Sequence, residues 1–485
     1  MTNTIRILAL ILLLPQVAIA SANKHLAKCW DKMVNPIGKS YIQINFQESK
    51  HHLGHLSTPW ETYHSADSGW VYCNGDKFMK VDSMSQGGIV YFSKTQFSYW
   101  DSVLLYLGYG DKTFAKITSE MILDEPLDES RYTPVPLLSY FYRHTADVVE
   151  TNTKDFAIYE LVINSKIVDL HIGKNDDVLQ KVTVFFHDDL YGDVTNTTYY
   201  SRFKEIDQVV YPSVIYASGM NDSARDTIKV ASPAVGNNVK DLLDKPTDYN
   251  LVEKKKIGPE ISVQKYSDNI HFITLKHTNG RSMVVEFSNY LLVAEVPLSP
   301  DNGELIIAEA KRIAPGKPIK YFIFCHHHPD YIGGLRAFVY EGANILCTAD
   351  DIPYVKYLVD APHTLQPDSL EIRARHLQTE EVGEHKILSD GKFQMEIYHI
   401  GAKSEHTKDY LIYYFPTEKM LFEGDLVAIP DNGPVRKAGK RQAGLYHAIK
   451  DLNLDVMTIE QSWPVADYGV KSEIPFSDME ASMKL

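Results

Sequence analysis

Cysteine is scarce in this chain, with four residues in 485, at positions 29, 73, 325 and 347. So few argue against a small fold stapled by disulfides. Two arrangements stay open: pairs Cys29–Cys73 and Cys325–Cys347, or four buried thiols, a common state for cysteine. Basic residues also fall short, 49 against 63 acidic, for a formal net charge of −14. A nucleic-acid partner wants lysine and arginine for its phosphates, so none is expected. After the first twenty residues no long apolar run occurs, so no stable membrane insertion of the mature chain is expected. No internal repeat is visible.

What is present divides into parts. The start, MTNTIRILALILLLPQVAIASANK, has Arg6 as a positive n-region, Ile7 to Leu14 as a short apolar core, and two A-x-A cleavage sites, at 18–20 and 20–22. It reads as a signal peptide over 1–22, and it predicts a periplasmic or secreted protein. Residues 23–235 repeat short alternating runs such as YIQINF, WVYCNG, FAIYELVIN and QVVYPSVIYA, with a hairpin signal at Asn74-Gly75. Period two broken by Gly, Asn and Asp predicts a mainly β domain, rich in tyrosine. Its histidines His51, His52 and His55 read as a surface loop. Residues 236–257, with Pro246 and Lys254-Lys255-Lys256, read as a linker. A second domain follows over 258–485. Its first part, ISVQKYSDNIHFITLKHTNGRSMVVEFSNYLLVAEVPLS, reads as three strands with turns at 267–269 and 279–280.

The chemistry concentrates in one motif. Pro318 to Cys325 reads as a buried strand, and GGLRAFVYEG as a helix opening. Between them, His326-His327-His328-Pro329-Asp330-Tyr331 forms a loop at a strand's C-terminal end. Imidazole and carboxylate are what zinc takes in hydrolytic sites, and two alternate side chains of a loop can reach one ion. His327, between them, is expected to point away. Alternation likewise turns Cys325 away from His326. His406 follows the apolar run FQMEIYHI, and Asp425 ends the run MLFEG, so each is a polar residue at a predicted strand end. His399 and His447 read as structural.

These residues resemble the metallo-β-lactamase fold superfamily, whose pattern is H-x-H-x-D-H followed by Gly-Gly, then a His before Thr, a Gly-Asp pair and a last His before Gly. His326, His328 and Asp330 match the first motif, His406-Thr407 the second, and Gly424-Asp425 the third. The resemblance spans roughly residues 258–485. It implies an α+β chain whose C-terminal part is an αβ/βα sandwich. It also implies His326, His328 and His406 as ligands of a first metal, with Asp330 and Asp425 beside it.

Two departures bear on the second metal of that family. Tyr331 stands where the family has a ligand His, and Trp463 falls about where the last His would be. Tyrosine, with a pKa of about 10, is a poor ligand at neutral pH, and indole is only a donor. The expectation is therefore one zinc per chain and a hydrolase using water against an ester, lactone or amide-type bond of a small molecule. Asp330 would steer or deprotonate the water, Asp425 would complete or support the site, and Tyr331 would donate a hydrogen bond to a developing oxyanion. The alternative is a cell-envelope binding or assembly module that keeps the fold without catalysis.

Overall fold

Alternation decides the first half of the chain. Along Thr62–Cys73, Ser65, Asp67, Gly69, Val71 and Cys73 are buried while their neighbours face outward. Phe156–Ile163 does the same with Ala157, Tyr159, Leu161 and Ile163 inside. A pleated strand sends successive side chains to opposite faces, so such patterns build a sheet with one covered face. The computed structural model describes residues 23–53, 56–86, 89–98, 104–108, 113–117, 125–236, 250–251 and 258–485. The signal-peptide reading and the lysine run of the linker lie outside the described residues.

The chain divides into two compact units. One comprises Met1–Leu53, Thr62–Phe186 and Val194–Lys254; the other comprises Gly54–Glu61, His187–Asp193 and Lys255–Leu485. The first unit is mainly β. Its strands lie in a 14-stranded sheet, antiparallel where its central strands pair, with Tyr41–Leu53 between Thr62–Cys73 and Ala224–Gly236. The helix Lys24–Met33 and the helix Val135–Arg143 bury Leu26, Cys29, Leu137, Leu138 and Phe141 in the same core as the sheet's inward residues. Asn74 makes the expected turn, its Oδ1 accepting from the backbone N–H groups of Asp76 and Lys77. His51 and His52 belong to the strand Tyr41–Leu53 and not to a loop, because the pairing with Thr62–Cys73 runs on to Leu53; His55 lies outside the described residues.

The second unit has its own core and two sheets. The first sheet follows chain order: β1 (Ile261–Lys265), β2 (Ile270–Leu275), β3 (Gly280–Glu286), β4 (Leu291–Ala294), β5 (Ile319–Ile323), β6 (Asn344–Cys347) and β7 (Thr379–Glu381). The sequence reading held three strands before residue 300; β4 is a fourth, and its four residues are all buried. From β1 to β4 neighbours are antiparallel; from β4 to β7 they are parallel. Parallel pairs need crossovers, here the helix α1 (Pro300–Ile313) between β4 and β5, then α2 (Pro329–Ile332) and α3 (Leu335–Glu341) between β5 and β6. Ser299 caps α1, its side chain accepting from Asn302 N–H; Asp301 lies in the first turn and Lys311 and Arg312 in the last. All of these favour the helix at its own ends.

The second sheet runs β8 (His385–Ser389), β9 (Gln394–His399), β10 (Leu411–Phe415), β11 (Met420–Glu423), β12 (Thr458–Gln461) and β13 (Glu473–Pro475). The helix α4 (Lys440–Asp451) crosses between the parallel pair β11 and β12. The sheets meet through side chains: Phe272 of β2 stacks on Phe422 of β11, and buried Arg281 of β3 bonds Glu460 of β12 at 2.9 Å. Strands β10 and β11 are buried along their whole length, as central strands covered on both faces must be. Burying each such leucine or phenylalanine contributes about 1.5–3 kcal/mol, enough to hold the strand ends and their loops in fixed positions.

Candidate metal centre

Strand β5 stops at Ile323, and the chain then turns through a loop that β10 clamps, with Leu411 N–H donating to the Cys325 carbonyl at 2.7 Å. That loop carries His326 and His328, which are 0% and 5% exposed. Their rings meet edge to face, with His326 Nε2 3.0 Å from His328 Nδ1. Gly333 continues the turn where only a hydrogen fits: an added Cβ would stand 2.2 Å from the Leu298 nitrogen.

His406 arrives from the second sheet. The turn Gly401–Ser404 follows β9, and Ser404 Oγ accepts from the backbone N–H groups of His406 and Thr407. The His406 ring centroid is 4.8 Å from those of both His326 and His328. Asp425 follows the end of β11. Its Oδ2 is 3.1 Å from His406 Nε2 and 3.1 Å from Arg441 Nη1, and its Oδ1 is 3.9 Å from His326 Nε2. The preceding Gly424 is required by close approach, since a Cβ there would lie 2.5 Å from Cys325 Sγ and 2.8 Å from the Tyr410 hydroxyl.

One ligand-type atom from each of His326, His328, His406 and Asp425 lies within 4.8 Å of the others. Zinc bonds of 2.0–2.1 Å in a tetrahedron give ligand–ligand edges of about 3.3 Å, close to the spacings of 3.0 and 3.1 Å seen here. His406 Nε2 is buried and has no hydrogen-bond partner. Burial, reinforced by His328 and His406, holds the His326 pKa well below the ordinary imidazole value. The neutral ring is the form that ligates. Donor type, convergence, protonation and an orphaned nitrogen all fit zinc.

The ring atoms turned away from this centre are also engaged. His326 Nδ1 stands 2.9 Å from Cys325 Sγ, and His328 Nε2 stands 3.3 Å from the Leu56 carbonyl. Such partners set which nitrogen is left to face a metal. The Cys325 contact corrects the alternation argument: β5 has ended two residues earlier, so period two no longer applies. All four cysteines are free and buried, and neither candidate disulfide forms. Cys29 Sγ instead packs 3.6 Å from Met33 Sδ. The Leu56 contact had no local signal, since 272 residues separate the partners.

Beneath Asp425, the Tyr410 hydroxyl is 2.9 Å from Glu423 Oε2 and 3.2 Å from Asp425 Oδ1, and accepts from Asp425 N–H. Burial, with the Asp425 charge adding to it, pushes the Glu423 pKa up to about 8. Tyr410, Glu423 and Arg441 are site residues that sequence reasoning missed, because none belongs to a recognisable motif.

Asp330 lies on the first turn of α2, half-buried, outside the group of four converging residues. Tyr331 is 3% exposed, and its ring packs 4.4 Å from that of His326. Burial and the nearby Asp425 carboxylate keep its phenol protonated, with the pKa well above 10. Trp463 donates from Nε1 to Gln461 Oε1 at 2.8 Å. It lines, with Asp425, Leu426, Ala428, Arg441 and Gln442, a pocket of about 470 Å³. His399 Nε2 is 2.8 Å from the Lys408 carbonyl, a structural contact. His327 does turn away, towards Asp409.

Residues 297–461 match the family model of the metallo-β-lactamase superfamily. A metallo-β-lactamase type 2 from Elizabethkingia meningoseptica is 22% identical over 237 residues, 46% of this chain and 82% of that protein. A linear primary-alkylsulfatase from a Pseudomonas sp. is 36% identical over 58 residues, 12% of this chain and 11% of that protein. Among solved structures, the metallo-β-lactamase FIM-1 from Pseudomonas aeruginosa is 17% identical, with a TM-score of 0.35, covering 48% of this chain and 96% of that one. The match to the metallo-β-lactamase superfamily thus falls within the second unit, on the residues that build the histidine–aspartate centre.

Proposed function

We propose that the second unit is a zinc-dependent hydrolase, with one zinc held by His326, His328 and His406 and supported by Asp425. The observation that carries this reading is the convergence of those four side chains, one of which, Asp425, lines a pocket. Bound at these ligands, zinc supplies a Lewis acid and lowers the pKa of water to about 7. The chain's own residues do the rest. Asp330 orients the attacking water and takes its proton. Tyr331, a buried and neutral phenol, donates a hydrogen bond where negative charge develops on the substrate. Arg441 holds Asp425 in place through its 3.1 Å contact. The pocket volume suits a small substrate, and the bond proposed for attack is of ester, lactone or amide type. The printed activities of the two curated relatives add β-lactams and alkyl sulfates to the compounds to be tried. The apolar run at residues 7–14 supports export to the periplasm or beyond.

The test is a hydrolysis panel of esters, lactones, β-lactams and alkyl sulfates, run beside elemental analysis of wild type and His328→Ala. The substitution is expected to remove one zinc per chain and to slow turnover by at least about a hundredfold. Unchanged zinc content in His328→Ala, or no hydrolysis by the zinc-loaded wild type across the panel, overturns the reading. Tyr331→Phe is expected to slow turnover by about tenfold or more with metal retained. Unchanged turnover removes Tyr331 from the mechanism.

A further inference from the structure

His327 sits between two zinc ligands in sequence but belongs to a different cluster. Its partners are Asp351, at the end of the 3-10 turn after β6, and Asp409, two residues before β10. The three are 4%, 1% and 3% exposed. One ligand-type atom from each lies within 4.8 Å of the others. Some of their valences are answered. Asp409 Oδ2 accepts from the His327 backbone N–H at 2.8 Å and stands 3.0 Å from Nδ1, and Thr348 Oγ1 donates to Asp351 Oδ2 at 2.8 Å. Others are not: His327 Nε2, Asp351 Oδ1 and Asp409 Oδ1 are buried with no hydrogen-bond partner. Among the described residues, no lysine or arginine forms an ion pair with either carboxylate.

Two neighbouring carboxylates this deep are costly to ionise without a positive charge among them. Three orphaned polar atoms in one place are equally unusual in a native interior. From these juxtaposed side chains we infer that His327, Asp351 and Asp409 form a second cation site, holding a divalent ion such as zinc or manganese. One imidazole and two carboxylates are a donor set that both ions accept. The ion would tie together three segments that follow β6 or flank β5 and β10, and so clamp from behind the loop that carries His326 and His328. Its burial makes the site structural: water and substrate have no role there. The competing account is a single proton shared between Asp351 and Asp409, which requires no metal.

Metal content separates the two accounts. Wild type, His328→Ala, Asp351→Asn and the double variant are loaded with Zn2+ alone or Mn2+ alone, freed of excess ion, and analysed for bound metal. Two ions per chain are expected in wild type with at least one of the metals, one in each single variant and none in the double. Chelation should lower the Tm of His328→Ala, whose remaining ion is the buried one, and leave the double variant's Tm unmoved. Equal metal in wild type and Asp351→Asn overturns the inference, as does a metal-free His328→Ala. Loss of metal in Asp351→Asn but not in His328→Ala keeps this site and sinks the three-histidine reading instead. Should Asp351→Asn fail to fold, His327→Gln carries the same expectation.

Discussion

The charged cavity of the first unit and the histidine centre of the second gather different kinds of polar group. In the first unit, buried charges answer one another: Lys50 pairs with Glu48 and Asp67, Arg131 with Glu48 and Asp226, and Lys80 with Glu129 at 3.0 Å and Asp82 at 3.9 Å. Several of these residues line a cavity of about 620 Å³, but its charges are spent on each other. In the second unit the centre gathers three imidazoles round one carboxylate, Asp425, whose cationic neighbour is Arg441 at 3.1 Å. His326 is buried neutral, and His406 Nε2 has no hydrogen-bond partner. Cations set against carboxylates tie a fold together; converging imidazole and carboxylate atoms offer a donor set for a metal. Burial of polar residues alone does not distinguish a site from a scaffold; the chemical kind of the groups that converge does.

The comparison breaks first where a charge in the first unit loses its partner. Lys80→Met leaves Glu129, 4% exposed, without its nearest cation. Removing one member of a buried pair costs about 3–5 kcal/mol, so chemical denaturation should show a loss of that order, with zinc content unchanged. A loss below about 1 kcal/mol would mean that the pair is effectively solvated. A smaller effect is expected at the metal centre's outer contacts. Cys325→Ala removes the sulfur beside His326 Nδ1 and should weaken zinc binding by about tenfold to a hundredfold, read by competition with a chelator. Unaltered affinity would show that ring orientation is set by packing against Tyr331 and Tyr410 instead.

The smallest effect concerns pH. Burial, with the Arg336 charge adding to it, lowers the His363 pKa from 6.5 to about 4. Unfolded, this histidine binds its proton near pH 6.5; folded, only near pH 4. Its contribution to stability is therefore complete above pH 6.5 and lost as pH falls towards 4. The second unit should lose stability across that window, and His363→Gln should make the decline shallower. An identical slope in wild type and variant would assign the acid sensitivity elsewhere.

Much of the second unit was legible in the sequence because its signals are local. Strand β5 is an apolar run, the loop after it announces itself by three histidines, and the Gly-Gly and Gly-Asp pairs mark close approaches that an added Cβ would block. The alternation of the first half was equally plain, and it does fold as a mainly β unit. Legibility failed where geometry depends on distant chain. Cys325 was turned the wrong way because the end of β5 is decided by pairing and not by residue type. The segments 54–61 and 187–193 join the second unit although they lie inside the β-rich half. Nothing in their composition marks that membership.

The family resemblance marks the departures at Tyr331 and Trp463; the linear order of residues itself marks which of them are able to ligate a metal and at which strand ends they fall. Those are matters of residue type and short-range periodicity, which the chain carries in every conformation. Which of the candidates meet is set by the packing of the folded chain. Asp425 joins the three histidines while Asp330 stays outside them, Leu56 reaches His328 across 272 residues, and His327 finds Asp351 and Asp409 behind the loop. Two sheets packed face to face bring strand ends from remote parts of the chain to one point. No local rule records that meeting.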